Sequence, residues 1–210
     1  MARTPAHATV FANGVGLGAT FSHETIHAVG AVVGEEARGL HNGFLASDPD
    51  NRQMGCNGCS LTMYAPNLNL IRDPRWGRAQ EVYGEDPHHM GELVTQFVTG
   101  AQNNSVGDSV GPEGYLQAGT CCKHFAAYDI ESYLGGKGGG RNSFDAELTS
   151  RDMWETYMPA FKACITKGKS SHVMCSYNGA APFRKRLFGA LFILNTTKPP
   201  RQARNQHRKS

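Results

Sequence analysis

The stretch that decides the fold runs from Asn67 to Pro87 and reads NLNLIRDPRWGRAQEVYGEDP. It begins as an apolar, extended-looking run and ends in a cluster of arginines, one tryptophan and several carboxylates. Two later segments have the same design, Thr120–Phe125 (TCCKHF) and His172–Asn178 (HVMCSYN). Buried strands that end in charged or polar groups, three in one chain, predict a parallel α/β barrel with a polar mouth.

Apolar periodicity between these segments predicts alternating strands and helices. The predicted strands are Thr9–Phe11, Leu61–Pro66, Thr120–His124 and His172–Tyr177. The predicted helices run from Ser22 to about Leu40, from Asp86-Pro87 onward, and from Thr149 to Thr166. The buried face of the second helix is predicted to consist of Met90, Leu93, Val94, Phe97 and Val98. The third is expected to begin with a capping pair of Thr149 and Asp152 and to be kinked at Pro159. This β-α-β-α-β-α-β order favours right-handed parallel units over a helical bundle. The expected fold class is therefore α/β, a partial (β/α)8 TIM-type barrel that is incomplete at both ends.

Length and charge divide the chain into two parts. Its 210 residues with 40% hydrophobic content suffice for one globular domain, whereas a complete barrel typically needs about 250 residues. Residues 183–210 hold eight Lys or Arg and no acidic residue, while residues 1–182 hold 13 basic and 18 acidic side chains. We therefore expect one folded unit over residues 1–182 and a disordered, unrelated basic tail over 183–210. Such tails can bind nucleic acid, but we expect no nucleic-acid partner here.

Cysteine usage and targeting signals leave the compartment open. Six cysteines do not make a disulfide-dense scaffold in a chain this long, and Cys56-x-x-Cys59 lacks the second pair of a zinc ribbon. No segment is long and apolar enough for a membrane span, and the first residues lack a signal-peptide core. Asn103-Asn104-Ser105 and Asn195-Thr196-Thr197 fit the glycosylation sequon, which matters only in a secreted protein.

Two short motifs suggest other functions. His23–His27 (HETIH) matches the H-E-x-x-H pattern of zinc peptidases. His23 would lie in the first helical turn, directly after the expected N-cap, so we interpret the match as coincidence and expect no metal. Gly135–Gly140 (GGKGGG) lacks the pattern of a phosphate-binding loop and is interpreted as a flexible connection.

The charged strand ends leave their own chemistry open. A lysine at the end of a barrel strand, here Lys123, suits a Schiff base, hydrogen bonds to a sugar or carboxylate, or a core-edge ion pair. Arg72, Arg75 and Arg78 must be paired with carboxylates or contact water, because an unpaired buried charge is very costly. A polar cleft would allow some of these side chains to face a ligand.

Taken together, these segments resemble glycoside hydrolase family 3, nearest its β-xylosidase branch. The resemblance covers roughly Thr9 to Pro182, with all matching segments in the right order. The segments are Ala8–Phe21, Ala65–Pro87 (APNLNLIRDPRWGRAQEVYGEDP), Cys121–Asp129 (CCKHFAAYD), Ser143–Ile165 and Val173–Gly179 (VMCSYNG). RDPRWGR followed by KHF and SYN is specific as a set.

The resemblance implies an α/β barrel that removes terminal β-xylosyl or β-glucosyl residues from oligosaccharides or aryl glycosides with retention of configuration. An aspartate nucleophile and a separate acid/base carboxylate, about 5–5.5 Å apart, carry out this reaction, and no cofactor is needed. Carried over onto this sequence, Arg78 holds sugar hydroxyls, and Lys123 and His124 bind the same sugar. Tyr177 matches the tyrosine beside the nucleophile.

The chain also departs from the family pattern. The nucleophile of the family lies in a later V-S-D-type strand, and no such string follows Tyr177. The sequence after Pro182 matches nothing in the family, and the acidic sugar-binding residue of the first barrel strand is missing. We therefore expect no catalytic carboxylate in this chain and little or no turnover by it. The alternatives are a non-catalytic sugar-binding fragment or, through HETIH, a zinc peptidase.

Overall fold

The computed structural model describes residues 8–47, 60–132, 140–180 and 191–193. Helices and parallel strands alternate along these ranges, which confirms the predicted α/β class. The helices are α1 (Gly14–Gly18), α2 (His23–Ser47), α3 (Pro87–Gln102), α4 (Ser150–Asp152) and α5 (Met158–Thr166), with a 3-10 turn (Ala79–Glu81) and a π-helical turn (Met153–Tyr157). The strands are β1 (Thr62–Met63), β2 (Gly119–Phe125), β3 (Asp145–Ala146), β4 (His172–Cys175), β5 (Gly179–Ala180) and β6 (Leu191–Ile193).

The main sheet has the strand order β1-β2-β4-β6. β1 pairs with β2 and β2 pairs with β4 in parallel, whereas β6 is antiparallel to β4. The register of β2 against β4 shifts between Cys122 and Phe125. β3 and β5 form a separate parallel pair. The parallel units are thus as predicted, the larger barrel remains a prediction, and three residues of the basic segment form β6.

Helix α3 is the central helix of the described fold. Asp86 caps its first turn by accepting a hydrogen bond from His89 N at 2.6 Å, and Pro87 occupies the start, as predicted. The helix ends at Asn103, which adopts a left-handed conformation. α3 packs against both α2 and α5. The predicted apolar stripe is buried: Met90, Leu93, Val94, Phe97 and Val98. In the part of the chain described, no helix is long and apolar enough to cross a membrane.

One predicted strand and one predicted helix end are wrong. Thr9–Phe11 is not a strand, and Val10 is 92% exposed. None of the described strands pairs with this segment, and strand-forming residues form strands only when a neighbour supplies the hydrogen bonds. Helix α2 continues to Ser47, seven residues beyond its predicted end. Its late glycines cost only about 1 kcal/mol each, and an established helix gains one hydrogen bond with each added residue.

The predicted helix over 149–166 contains a change of helical type. Thr149 and Asp152 form the expected capping box, with Asp152 N donating to Thr149 Oγ1 at 3.1 Å. The π-helical turn then directly precedes α5, whose first turn contains Pro159. A proline ring clashes with the carbonyl four residues earlier, and a wider turn accommodates it. The kink expected at this proline is therefore realised as a π-helical turn.

A disulfide joins Cys122 of β2 to Cys164 of α5, and both residues are fully buried. The sequence alone does not identify this pair. Adjacent strand residues point to opposite faces, so Cys122 faces the helix while Cys121 faces away from it and remains a free, buried thiol. The disulfide covalently links the sheet to the helix that covers it. Cys56 and Cys59 lie outside the described residues.

A buried polar network fixes the N-terminal ends of β2 and β4. Gln102, at the end of α3, accepts hydrogen bonds from Thr120 N at 3.2 Å, Thr120 Oγ1 at 2.8 Å and Ser171 N at 3.1 Å. Its Nε2 donates to Lys169 O at 3.0 Å. Because buried amides that satisfy all their partners specify a single arrangement, Gln102 holds both strands in place against α3.

Helices α2 and α3 approach each other so closely that glycine is required at the contact. A Cβ atom at Gly34 of α2 would overlap the backbone of Ala101 in α3, and one at Gly100 of α3 would overlap the backbone of His27. Gly39, later in α2, faces open space, with nothing within 4 Å of a Cβ atom. The same helix therefore contains one glycine required by packing and one that is not.

We expect Gly34→Ala to lower the free energy of unfolding by about 1–3 kcal/mol, because the methyl group forces the two helices apart. Gly39→Ala is the matched control, and it should raise the free energy of unfolding by about 0.5–1 kcal/mol through helix propensity. Urea unfolding followed by circular dichroism measures both. Equal effects of the two substitutions would contradict the close contact.

Candidate functional site

The candidate site lies where β2, β4 and the Asn67–Leu70 segment end. Arg78 Nη1 lies 3.2 Å from His124 Nε2, and the rings of His124 and Tyr177 are 5.4 Å apart. Lys123 pairs with Asn67 through an isolated parallel bridge, and its carbonyl accepts from Leu68 N at 2.7 Å. The structure thus brings together all four residues that the sequence analysis selected.

Asn69 fixes the orientation of His124, which is 1% exposed. Its Oδ1 accepts from the backbone N and from Nδ1 of His124, both at 3.0 Å, and its Nδ2 donates to His124 O at 2.9 Å. Because the amide oxygen can only accept, the imidazole carries its proton on Nδ1, and Nε2 is left as an acceptor for Arg78.

Burial lowers the pKa of His124 to about 2, and the positive charges of Arg78, Lys123 and Arg141 act in the same direction. A second proton would place a fourth positive charge on a ring that is 1% exposed. The imidazole is therefore neutral over the whole physiological range, and its Nε2 lone pair accepts from Arg78.

Arg78 is held by a two-point ion pair with Glu81. Its Nε donates to Glu81 Oε1 at 2.7 Å and its Nη2 to Glu81 Oε2 at 2.6 Å, and the Arg78 side chain is 16% exposed. The hydrogen bonds that Arg78 donates to Glu81 raise the pKa of Arg78. Burial opposes ionisation of Glu81, yet the hydrogen bonds from Arg78 and Asn67 lower its pKa. The planar fork of Arg78 is thereby oriented with Nη1 toward the centre of the site.

Lys123 lies beside this pair at the wall of a cavity of about 200 Å³. Burial and the charge of Arg78 lower its pKa. Within the described part of the chain its ammonium group makes no hydrogen bond or ion pair, so its donors are available to a ligand. The lining is polar at Lys123, Glu81 and Asn67 and apolar at Leu17 and Phe97.

Tyr128 forms the floor of the site, and the sequence analysis missed it. Its ring is fully buried and packs edge-to-face at 4.8 Å from His124, 5.7 Å from Tyr177 and 5.8 Å from Trp76. The guanidinium of Arg78 lies 5.8 Å from the same ring. Tyr128 belongs to the quoted string CCKHFAAYD, but nothing in the string itself distinguishes it from an ordinary core tyrosine.

Glu131 and Arg141 form a further wall that the sequence analysis also missed. The guanidinium of Arg141 lies 4.0 Å from the ring centroid of Tyr177, and Nη1 donates to Glu131 Oε1 at 3.1 Å. Glu131 also accepts a hydrogen bond from the Tyr128 hydroxyl. Arg141 follows the glycine-rich segment Gly135–Gly140, and only the folded chain reveals its contact with Tyr177.

A second ionic group supports the rim of the site. Tyr157, in the π-helical turn, donates to Asp129 Oδ2 at 3.1 Å, and the guanidinium of Arg72 lies 5.7 Å from the Tyr157 ring. Burial raises the pKa of Asp129, against the hydrogen bond from Tyr157 and the charge of Arg72. This contact ties the loop that carries Tyr128 to the helix that follows.

The remaining charges of the arginine cluster and the H-E-x-x-H string do not enter the site. Arg75 pairs with Asp73 at the surface, and its side chain is 71% exposed. His23 and His27 are exposed on α2. Over residues 8–47, 60–132, 140–180 and 191–193, no three metal-ligating side chains lie close enough together to hold an ion. HETIH therefore has no third ligand there, and the geometry does not favour a zinc peptidase.

The arrangement suits a neutral ligand rich in hydroxyl groups. Arg78 and Lys123 supply donors, His124 Nε2 accepts from Arg78, and the Tyr177 ring lies beside His124. Of these four residues, Lys123 is the one that lines the cavity. The carboxylates of Glu81 and Glu131 are each held by an arginine.

Comparison with known proteins identifies similar chains. Residues 50–186 match the model of the Glycosyl hydrolase family 3 N terminal domain. The chain is 40% identical over 171 residues to the Arabidopsis thaliana protein named "Probable beta-D-xylosidase 7", a match over 81% of this chain and 20% of the relative. The chain thus spans about a fifth of the length of this relative.

Two solved structures share the fold of this chain. The exo-beta-xylosidase XlnD, in complex with a xylobiose aziridine probe, has a TM-score of 0.67 at 29% identity, covering 82% of this chain and 20% of XlnD. Beta-glucosidase 3B from Thermotoga neapolitana, in complex with glycerol, has a TM-score of 0.60 at 28% identity, covering 82% of this chain and 19% of that one.

We expect His124 to stay neutral and protonated on Nδ1 down to about pH 4, because Asn69 and the neighbouring cations oppose a second proton. The unfolded chain binds this proton below about pH 6.5, so folding stability should fall as the pH drops from 6.5 toward 2. The ¹⁵N shifts of the imidazole over a pH titration measure the protonation state directly. A titration midpoint near pH 6 at His124 would contradict this environment; exposed His27 is the internal control.

Proposed function

We propose, from the premise that the chain belongs to glycoside hydrolase family 3, that it forms the glycone-binding wall of a retaining β-glycosidase. The proposed substrates are oligosaccharides or aryl glycosides with a terminal β-D-xylosyl or β-D-glucosyl residue. The parallel strands β1, β2 and β4 are then part of a (β/α)8 barrel, with residues 1–182 belonging to its catalytic domain and 183–210, which include β6, forming an unrelated segment.

One observation carries the proposal: the neutral imidazole of His124 is held between Asn69 and Arg78, and the ammonium group of the adjacent Lys123 has no hydrogen-bond partner among the described residues. A pyranose presents neighbouring hydroxyl groups that each donate and accept. A site with fixed cationic donors next to a fixed neutral acceptor matches this pattern, and hydrogen bonds to charged groups are the stronger ones. The Tyr177 ring, supported by Arg141, offers its face at the edge of the same site.

Each residue has a proposed role. Arg78 and Lys123 donate to sugar hydroxyls, and on binding one hydroxyl replaces Arg78 as the donor to His124 Nε2. Tyr177 lies beside the position where the nucleophile of the complete enzyme attacks. Glu81 and Glu131 orient Arg78 and Arg141, so we propose that they bind no sugar themselves.

The catalytic carboxylates are proposed to lie outside this chain. A retaining mechanism needs a nucleophile and an acid/base about 5–5.5 Å apart. The two carboxylates described in the site are engaged by arginines, and no V-S-D string follows Tyr177 in the sequence. The chain on its own should therefore bind sugar weakly and release no nitrophenol from an aryl β-xyloside.

The xylosyl group is the preferred glycone in this proposal. The relative named as a β-xylosidase is 40% identical, and of the two solved structures the β-xylosidase has the higher TM-score, 0.67 against 0.60. A xylosyl unit lacks the hydroxymethyl group of glucose, so it needs less space beside Tyr177 and Arg141.

Saturation-transfer NMR with methyl β-D-xyloside tests the proposal on the purified full chain. Arg78→Met should weaken binding by about tenfold or more, because one charge-assisted hydrogen bond is worth about 1.5–3 kcal/mol. Arg75→Met is the matched control from the same motif. Its side chain is exposed and paired outside the site, so the signal should persist.

Three results would each contradict a different part of the proposal. Loss of signal with Arg75→Met but not with Arg78→Met would place the sugar elsewhere. No signal from the unmodified chain at any xyloside concentration would show that this wall alone does not hold the glycone. Nitrophenol release that disappears with Lys123→Ala would disprove the absence of the catalytic pair.

A further inference from the structure

We propose that Asn103 is an N-glycosylation site, and that its glycan covers an exposed apolar surface at the end of the fold opposite the candidate site. This proposal does not depend on the glycosidase activity. It requires only that the chain folds in a secretory compartment.

The backbone presents Asn103 to solvent. It follows the last turn of α3 with φ 53° and ψ 48°, and its N–H closes the helix by donating to Gly100 O at 3.1 Å. The side chain is exposed, and no hydrogen bond to it occurs within the described residues. Its amide nitrogen is therefore free to carry a substituent without disturbing the helix end.

The other two residues of the sequon have distinct roles. Asn104 is buried and donates to Asp108 O at 2.6 Å and Gly168 O at 3.3 Å, which anchors the loop. Ser105 is exposed, and its carbonyl accepts from Asp108 N at 3.0 Å in a turn. The sequon thus lies at an ordered surface position with its acceptor amide and its hydroxyl residue both facing water.

Exposed apolar side chains follow this position in the chain: Val106 is 56% exposed, Val110 38% and Tyr115 43%. Gly111 N donates to Tyr115 O at 3.1 Å, and a side chain at Gly111 would collide with the backbone of both Asn103 and Tyr115. The backbones of Tyr115 and Asn103 are therefore close neighbours across Gly111, and the guanidinium of Arg38 lies 5.6 Å from the Tyr115 ring. Exposed apolar surface marks places that another group covers, and a glycan on Asn103 would lie beside Tyr115.

The location keeps the glycan away from the candidate site. α3 runs from the charged stretch that ends at Pro87 to Asn103, and its 16 residues span roughly 24 Å. Gln102, directly before Asn103, contacts the N-terminal ends of β2 and β4, whereas His124 lies at the C-terminal end of β2. A bulky substituent at Asn103 leaves the sugar-binding wall open.

The disulfide supplies an independent argument for the compartment. Cys122–Cys164 bonds a strand to a helix inside the core. Stable disulfides of this kind form in oxidising compartments, which include the lumen where N-glycans are attached. The disulfide therefore indicates the same oxidising compartment in which a sequon can be glycosylated.

The modification transfers an oligosaccharide to the side-chain amide of Asn103. Asn103 Nδ2 attacks C1 of an oligosaccharide carried on a lipid diphosphate. The Nδ2–C1 bond forms, the bond from C1 to the diphosphate oxygen breaks, and the lipid diphosphate leaves with the electron pair. The amide nitrogen loses one proton, and no oxidant or reductant is consumed.

The test expresses the full chain, behind a secretion signal, in a eukaryotic host. Asn195→Gln removes the second sequon, which lies outside the described residues, so that any glycan is on Asn103. Glycopeptide mass spectrometry of total cell and medium protein reads occupancy even if the chain is retained. We expect a glycan on Asn103, its complete loss with Ser105→Ala, and its retention with Ser105→Thr. Unmodified Asn103 in the Ser105→Thr chain would overturn the proposal.

A second measurement tests the covering of the apolar surface. Hydroxyl-radical labelling of Tyr115 should rise when the glycan is removed enzymatically from the folded protein, while labelling of Trp154, 65% exposed on the π-helical turn, should not change. Equal labelling of Tyr115 in both forms would reject the covering. Alkylation of Cys122 and Cys164 without prior reduction would reject the oxidising compartment.

Discussion

The carboxamide of Asn69 holds the end of β2 in position, and the arrangement of the candidate site depends on it. The ladder between β2 and β4 is irregular between Cys122 and Phe125, so the backbone groups of His124 have no regular strand partner. Asn69 supplies both, accepting from His124 N and donating to His124 O. A buried backbone group without a partner costs about 1–3 kcal/mol. The same oxygen that accepts from the backbone also fixes the imidazole, so strand geometry and site chemistry share one side chain.

A fixed neutral imidazole then determines how the cations are arranged. Arg78, Lys123 and Arg141 all lower the pKa of His124, after burial itself. Their mutual repulsion would be unfavourable in a closed site, and Glu81 and Glu131 offset it by pairing with the two arginines. Lys123 is left without a carboxylate within hydrogen-bonding distance among the described residues, and burial and the charge of Arg78 lower its pKa. Among the described cations of the site, Lys123 is thus the one whose hydrogen bonds are all available, and a hydroxyl-rich ligand can accept them.

The sequence predicted those parts of the fold that local patterns determine. The helix start at Asp86-Pro87 and the capping box of Thr149 with Asp152 were correct because each involves residues three positions apart. Arg78, Lys123, His124 and Tyr177 come together as their motifs imply. Arg141 and Glu131 were missed because their contacts join a loop to strand ends, and no periodicity records such a contact. The pairing of Cys122 with Cys164 was missed for the same reason, since 42 positions separate the two residues.

The two ends of the sheet are stabilised by different means, and this difference explains why the site can carry so much charge. At the N-terminal ends of β2 and β4, Gln102 joins Thr120 and Ser171 through neutral hydrogen bonds in a buried environment. The disulfide of Cys122 fixes the middle of β2 to α5. These contacts do not change with pH in the physiological range, since none of their groups is charged there. The C-terminal ends of the strands can therefore present half-buried cations, because Gln102 and the disulfide of Cys122 hold the same strands at other points.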